Sequence, residues 1–104
     1  RRQRQMCIRD RVITFRIRSH RRNRQQKSLY VECLRIDDGQ SLGGTEFPLD
    51  DRDLEWVGPV MAHLGKVYVF LARPNNPHRF EVYELVLETT NVNGPHASHI
   101  GFLN

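Results

Sequence analysis

Cysteine is scarce in this chain of 104 residues: Cys7 and Cys33 are the two present. So few thiols exclude a disulfide-stapled scaffold and an all-cysteine zinc site. No apolar run approaches the ~20 residues of a membrane helix, so no helical span and no membrane partner are expected. A phosphate-cradling glycine loop is missing, because Gly43-Gly44 is not followed by Lys-Ser/Thr. Asn93-Gly94-Pro95 is not a glycosylation acceptor, since proline stands where Ser or Thr is needed. The histidines His20, His63, His78, His96 and His99 lack any His-x-Glu or His-Glu-x-x-His company. His96 and His99 are three apart, but the preceding Asn-Gly-Pro is turn chemistry, so exposed loop histidines are expected. No catalytic constellation is recognisable, which favours binding over catalysis and predicts no cofactor and no metal.

What is abundant is arginine, and it is concentrated at the start: RRQRQMCIRDR holds five arginines and one acid. One reading is a basic arm that meets phosphates through charge. A plainer reading fits better. Translated from its second base, the transposase-type sequencing-adapter oligonucleotide encodes Arg-Arg-Gln-Arg-Gln-Met-Cys-Ile-Arg-Asp, identical to Arg1–Asp10. Arg11 fits its incomplete last codon. Residues 1–11 are therefore expected to be adapter-derived rather than native, and are set apart from fold and function. The chain is then expected to come from an assembled environmental or transcript read, as a fragment of a longer protein whose upstream part is missing.

Setting these residues apart changes the charge argument. The whole chain carries a formal charge of +4, whereas residues 12–104 hold eleven basic and eleven acidic groups. The alkaline pI is then no argument for nucleic acid. Cys33, alone in an alternating apolar run, is expected as a buried reduced thiol, which points to an intracellular compartment. The remaining 93 residues suffice for one small domain with a modest core.

Alternation marks most elements. VITFRIR (12–18) places Ile13, Phe15 and Ile17 on one face, and SLYVECLRID (28–37) places Leu29, Val31 and Cys33 on one face. TEFPLD (45–50) reads as a short edge strand because of Pro48. Leu54, Val57, Met61 and Leu64 recur at helical spacing after a run of acids suited to a helix N-terminus, Asp50, Asp51, Asp53 and Glu55. This predicts a helix kinked at Gly58-Pro59 and capped by Gly65. KVYVFLAR (66–73) and RFEVYELVLETT (79–90) are strands joined by a loop over 74–78, and a short strand is predicted over 99–103. The fold class predicted is α+β, one antiparallel sheet packed on one kinked helix in the order β-β-β-α-β-β. Its expected core is Ile13, Phe15, Ile17, Leu29, Val31, Leu54, Val57, Met61, Leu64, Val67, Val69 and Leu71.

Charge is unevenly distributed. Residues 16–27 carry six basic groups and no acid, whereas residues 28–104 carry five basic and eleven acidic groups. A basic loop followed by aromatic strands suits single-stranded nucleic acid, where cations neutralise phosphates and rings stack on bases. The candidate residues are Arg16, Arg18, Arg21, Arg22, Arg24 and Lys27 for phosphates, with Tyr30 and Tyr68 for stacking. Against this stand Glu32 and Glu84, which would repel phosphate if they share those faces. The plain alternative is a solvated loop that meets the acidic part of its own domain.

The order from Val12 to Leu64 resembles a PUR repeat, or the related Whirly-type single-stranded nucleic-acid-binding fold, with Asn23-Arg24 before Tyr30 echoing the family's loop. The resemblance covers about half the chain. It departs in lacking a glycine after Arg24, in the proline within the helix and in the acidic second half. It implies that the loop over 21–27 and the adjoining strand faces meet nucleic acid. The function expected is thus a non-catalytic nucleic-acid-binding module. The alternatives are an interaction or structural domain whose basic loop docks on an acidic protein surface or on another copy's Asp50–Glu55 edge, and a fragment of an enzyme whose active site lies upstream.

Overall fold

Period-two alternation marks most of the described residues, and the structure follows it apart from irregularities in register such as the one in the fifth strand. The computed structural model describes residues 3–8, 10–20, 22, 26–49, 53–86 and 95–103; these residues form eight strands, and none of them lies in a helix. The strands are β1 (Gln3–Ile8), β2 (Arg11–Ser19), β3 (Lys27–Arg35), β4 (Ser41–Leu49), β5 (Trp56–His63), β6 (Lys66–Arg73), β7 (Asn76–Val86) and β8 (His96–Leu103). They make two antiparallel four-stranded sheets, each with neighbours in chain order, β1-β2-β3-β4 and β5-β6-β7-β8. The sheets face each other, with β1 and β2 against β5 and β4 against β8. The fold is all-β, a sandwich, and not the α+β arrangement with a kinked helix.

Register explains which residues meet inside. Ile17 pairs with Leu29 and Leu29 with Phe47, so one face of the first sheet carries a continuous apolar row. In the second sheet Val57 pairs with Leu71, and Val69 with Tyr83. Phe15, Leu29, Leu54, Val69 and Leu71 are fully buried. Each such side chain contributes about 1.5–3 kcal/mol by leaving water. Phe47, Leu49 and Tyr83 complete the core, although the sequence pattern did not point to them.

The misplaced helix has a specific cause. Between Val57↔Leu71 and Val60↔Val69, strand β5 holds two residues, Gly58 and Pro59, against one on β6. This bulge shifts two inward positions from two residues apart to three, which mimics helical spacing. Gly58 is required there: a Cβ would stand 2.5 Å from the Phe80 ring and 3.1 Å from the Phe70 carbonyl oxygen. Only half of the supposed helical stripe is buried: Leu54 and Val57 lie in the core, whereas Met61 is 49% and Leu64 86% exposed. Leu64 (φ 51°) and Gly65 (φ 76°) instead form the two-residue loop of the β5–β6 hairpin, between His63 and Lys66. Positive φ at both positions is what a type I′ turn needs.

Smaller corrections follow the same logic. The loop placed over 74–78 is a turn at Pro74-Asn75, with Arg73 paired to Asn76. Strand β4 begins at Ser41 rather than Thr45, and β8 at His96 rather than His99. The helix that a PUR-type order needs over 51–64 is occupied from Trp56 by β5. Residues 3–8, which the sequence reading set apart, pair with β2 from Gln3↔Arg16 to Ile8↔Arg11.

The bulge and the turn generate a test. Leu64→Asn should raise stability by about 1 kcal/mol, because Asn tolerates the left-handed region that Leu resists. Leu71→Ala should lower it by about 2–5 kcal/mol. Denaturant unfolding of both variants checks this; a helix in this segment would make Leu64→Asn neutral or destabilising.

Candidate functional site

The residues singled out for nucleic acid fall into separate places. Arg16 and Arg18 lie on the outward face of β2, and Tyr30 lies beside them on β3, directly across from Arg16. Their guanidinium carbons stand 5.3 and 4.4 Å from the Tyr30 ring centroid. The ring also lies across Gly44, where an added Cβ would collide with it. Tyr30 is thus enclosed between a glycine and Arg18, and a base could stack on it only by displacing the arginine. Glu46 belongs to the same row and stands 3.6 Å from Arg18, with Glu32 next along the strand.

Lys27 is committed inward. It is 12% exposed at the side chain, donates from Nζ to the Leu54 carbonyl at 3.1 Å and stands 3.8 Å from Glu55. Burying the lysine stem while satisfying its ammonium ties β3 to the segment before β5. Tyr68 sits on the outward face of the other sheet, between Met61 and Glu84, remote from Tyr30. Arg22 is exposed. Arg21 and Arg24 lie outside the described residues, as do Asp50 and Asp51. His20 N–H donates to the Gln26 carbonyl at 2.9 Å across the base of this loop. The structure therefore brings together three of the candidates, Arg16, Arg18 and Tyr30.

A different site emerges between the sheets. The inward side chains shrink from one end of the sandwich to the other. Along β4 they run Leu49, Phe47, Thr45, Gly43; along β3 Leu29, Val31, Cys33; along β5 and β6 Val57, Val60, Ala62 and Leu71, Val69, Val67. Large residues close one end. At the other end a cleft of about 570 Å³ remains, walled by Met6, Ile13, Phe15, Val31, Cys33, Phe47, Val67 and Leu85. Ile13, Val31, Val67 and Leu85 all face inward, yet each is only half-buried. Gly43, Gly44, Ala62 and Gly65 add almost no bulk to its lining. Charge is confined to Lys66 and Glu84, whose Nζ and Oε2 stand 3.8 Å apart. Such a space suits an apolar molecule of modest size. The cleft was invisible to the sequence reading, because its signal is missing bulk spread over strands of unknown register.

Among the described residues the core includes one buried carboxyl side chain. Glu81 points inward from β7, 6% exposed, and accepts from Arg73 Nε at 3.0 Å; His99 Nε2 lies 3.3 Å from its other oxygen. Arg73 also stands 3.5 Å from Asp53. His99 packs edge-on to Tyr83 and Phe102, with ring centroids 5.1 and 5.0 Å away. This group joins β6, β7 and β8 by charge-assisted contacts. Among the described residues no three His, Cys, Asp or Glu side chains cluster as metal ligands. Cys33 lies half-buried in the cleft wall, and Cys7 is exposed on β1.

Comparisons with protein-family models, curated proteins and solved structures find no match to this chain.

The placement of Lys27 is testable. Lys27→Ala should cost about 1–2 kcal/mol of stability, the worth of a charge-assisted bond to a carbonyl. Arg22→Ala should cost less than about 0.5 kcal/mol, as for any exposed substitution. Chemical denaturation of the two variants distinguishes a structural lysine from a free loop cation.

Proposed function

We propose that the protein is a small-molecule-binding β domain that takes an apolar ligand into the cleft between its sheets. One observation carries this reading: among the described residues, an open cleft of about 570 Å³ with mainly apolar walls lies between the sheets. Protein interiors ordinarily pack as densely as organic crystals. The cleft opens to solvent, so its half-buried apolar walls face water, at a cost of about 25 cal/mol per Å² of apolar surface. A ligand that enters covers Ile13, Val31, Val67 and Leu85. Drug-sized ligands gain about 0.3 kcal/mol per heavy atom, so one of about 20 heavy atoms should bind in the range of tens of micromolar.

The test uses the neutral apolar fluorophore N-phenyl-1-naphthylamine. Wild-type protein should bind it saturably at one site. Val31→Trp combined with Val67→Phe fills the cleft from both sheets and should weaken binding at least tenfold, with an unfolding temperature no lower than about 5 °C below wild type. Undiminished binding by a folded double variant would sink the proposal.

A second reading is favoured by the gathering of Arg16 and Arg18 over Tyr30: an outward face that contacts the phosphates of a single strand. Glu46 and Glu32 oppose it. If both arginines neutralise phosphates, replacing them with Ala should flatten the slope of log affinity against log salt by about 1.4, at about 0.7 per phosphate of a single strand. An unchanged slope, measured with a labelled oligonucleotide, removes these residues from any such role.

A further inference from the structure

We propose that the pocket beside the β6–β7 turn is a binding site for a small organic carboxylate, with Arg79 as the group that holds it. The inward face of the second sheet changes character along its strands. On β6 the buried Leu71 is followed two residues on by Arg73. On β7 the same face runs Tyr83, Glu81, Arg79, because alternate residues share a face. Phe102 of β8 lies directly across from Glu81. With Asn75 and Asn76 at the turn, Arg73, Arg79, Glu81 and Phe102 wall a pocket of about 420 Å³. It shares no lining residue with the apolar cleft, so this proposal and the previous one stand independently.

The two cations of the pocket are employed differently. Arg73 is taken up by carboxylates: its Nε donates to Glu81 at 3.0 Å and it stands 3.5 Å from Asp53. Glu81 has a second partner in His99, at 3.3 Å. Arg79 is exposed, and its guanidinium carbon stands 4.1 Å from the centroid of the Phe102 ring. The ring occupies one face of the guanidinium, which leaves its N–H donors in the plane for another acceptor. Stacking also restricts the side chain before a ligand arrives, so less freedom is lost on binding. A carboxylate matches this planar fork with two parallel bonds. Charge selects further. Two arginines against one glutamate leave the walls with one positive charge, which a monoanion cancels. A phosphate dianion would bring surplus negative charge beside Glu81. Phe102, half exposed, offers an apolar surface to the body of the ligand.

Benzoate is the probe, titrated into the isotope-labelled full chain and followed by NMR, with the Arg79 Nε–H resonance as the local readout. Benzoate should bind saturably and shift that resonance. Benzamide, its neutral counterpart, should bind at least tenfold more weakly, and so should inorganic phosphate at a pH where it is dianionic. Arg79→Gln, at an exposed position, should weaken benzoate at least tenfold while the backbone amide spectrum stays that of the folded chain. Were that variant to unfold, Arg79→Lys decides instead; it keeps the charge, loses the fork and should weaken benzoate severalfold. The proposal is overturned by a lack of saturable benzoate binding, by benzamide or phosphate binding as tightly, or by undiminished benzoate binding in the folded variant.

Discussion

Two sheets must each bury one face against the other, and the side chains offered for those faces are of unequal size along the strands. Leu29, Phe47, Leu49, Leu54 and Leu71 belong to the buried core cluster toward one end of the sandwich. Cys33, Gly43, Ala62 and Val67 stand at the other, where the same sheet separation leaves space. Sheets pack about 10 Å apart face to face, so short side chains cannot bridge the gap. The cleft is a consequence of this gradient.

The charged groups fit the same frame. At the packed end, Lys27 folds over Leu54 and Glu81 accepts from Arg73 inside the second sheet. Both give a polar partner to atoms that the dense end would otherwise strand, and an unpaired buried group is expensive. At the open end, Lys66 and Glu84 sit where water reaches them and form a loose pair. Outward, Arg16 and Arg18 lie on Tyr30, while Arg18 meets Glu46. Several of the cations that made the chain look basic thus have anionic or aromatic partners within it. Within 16–27, Arg16, Arg18 and Lys27 meet partners inside the chain.

How much of this was legible depends on the element. Strands β2, β3 and β6 were readable from alternation alone, and their inward residues Phe15, Ile17, Leu29, Val69 and Leu71 were named correctly. Strand β5 was not, because the Gly58-Pro59 bulge gives Val57 and Val60 a separation of three. Leu64 then seemed to extend a helical stripe, although it is the exposed residue of a two-residue turn. Phe47 and Leu49 were missed as core because Pro48 suggested an edge; β4 is indeed an edge strand, yet its inward face is buried. Arg16, Arg18 and Tyr30 could be grouped because neighbouring strands in a hairpin share a register. Tyr68 could not be placed relative to Tyr30 before the second sheet was known to be separate.

Residues 3–8, expected from the sequence to stand apart from the fold, form β1 along β2. An alternating hexapeptide laid on an open edge forms a ladder because every residue carries a donor and an acceptor. Pairing of this sort is therefore weak testimony about origin. What it does constrain is geometry: with β1 in place, Arg4 reaches the Val57 carbonyl and Met6 covers part of the cleft. The edge, the cleft and the approach of β5 form one mechanical unit. Displacing β1 would remove the Arg4 bond to β5 and, through Met6, change the cleft wall. Met6 is the side chain that β1 and the cleft share, so the way β1 lies on β2 sets part of the cleft wall.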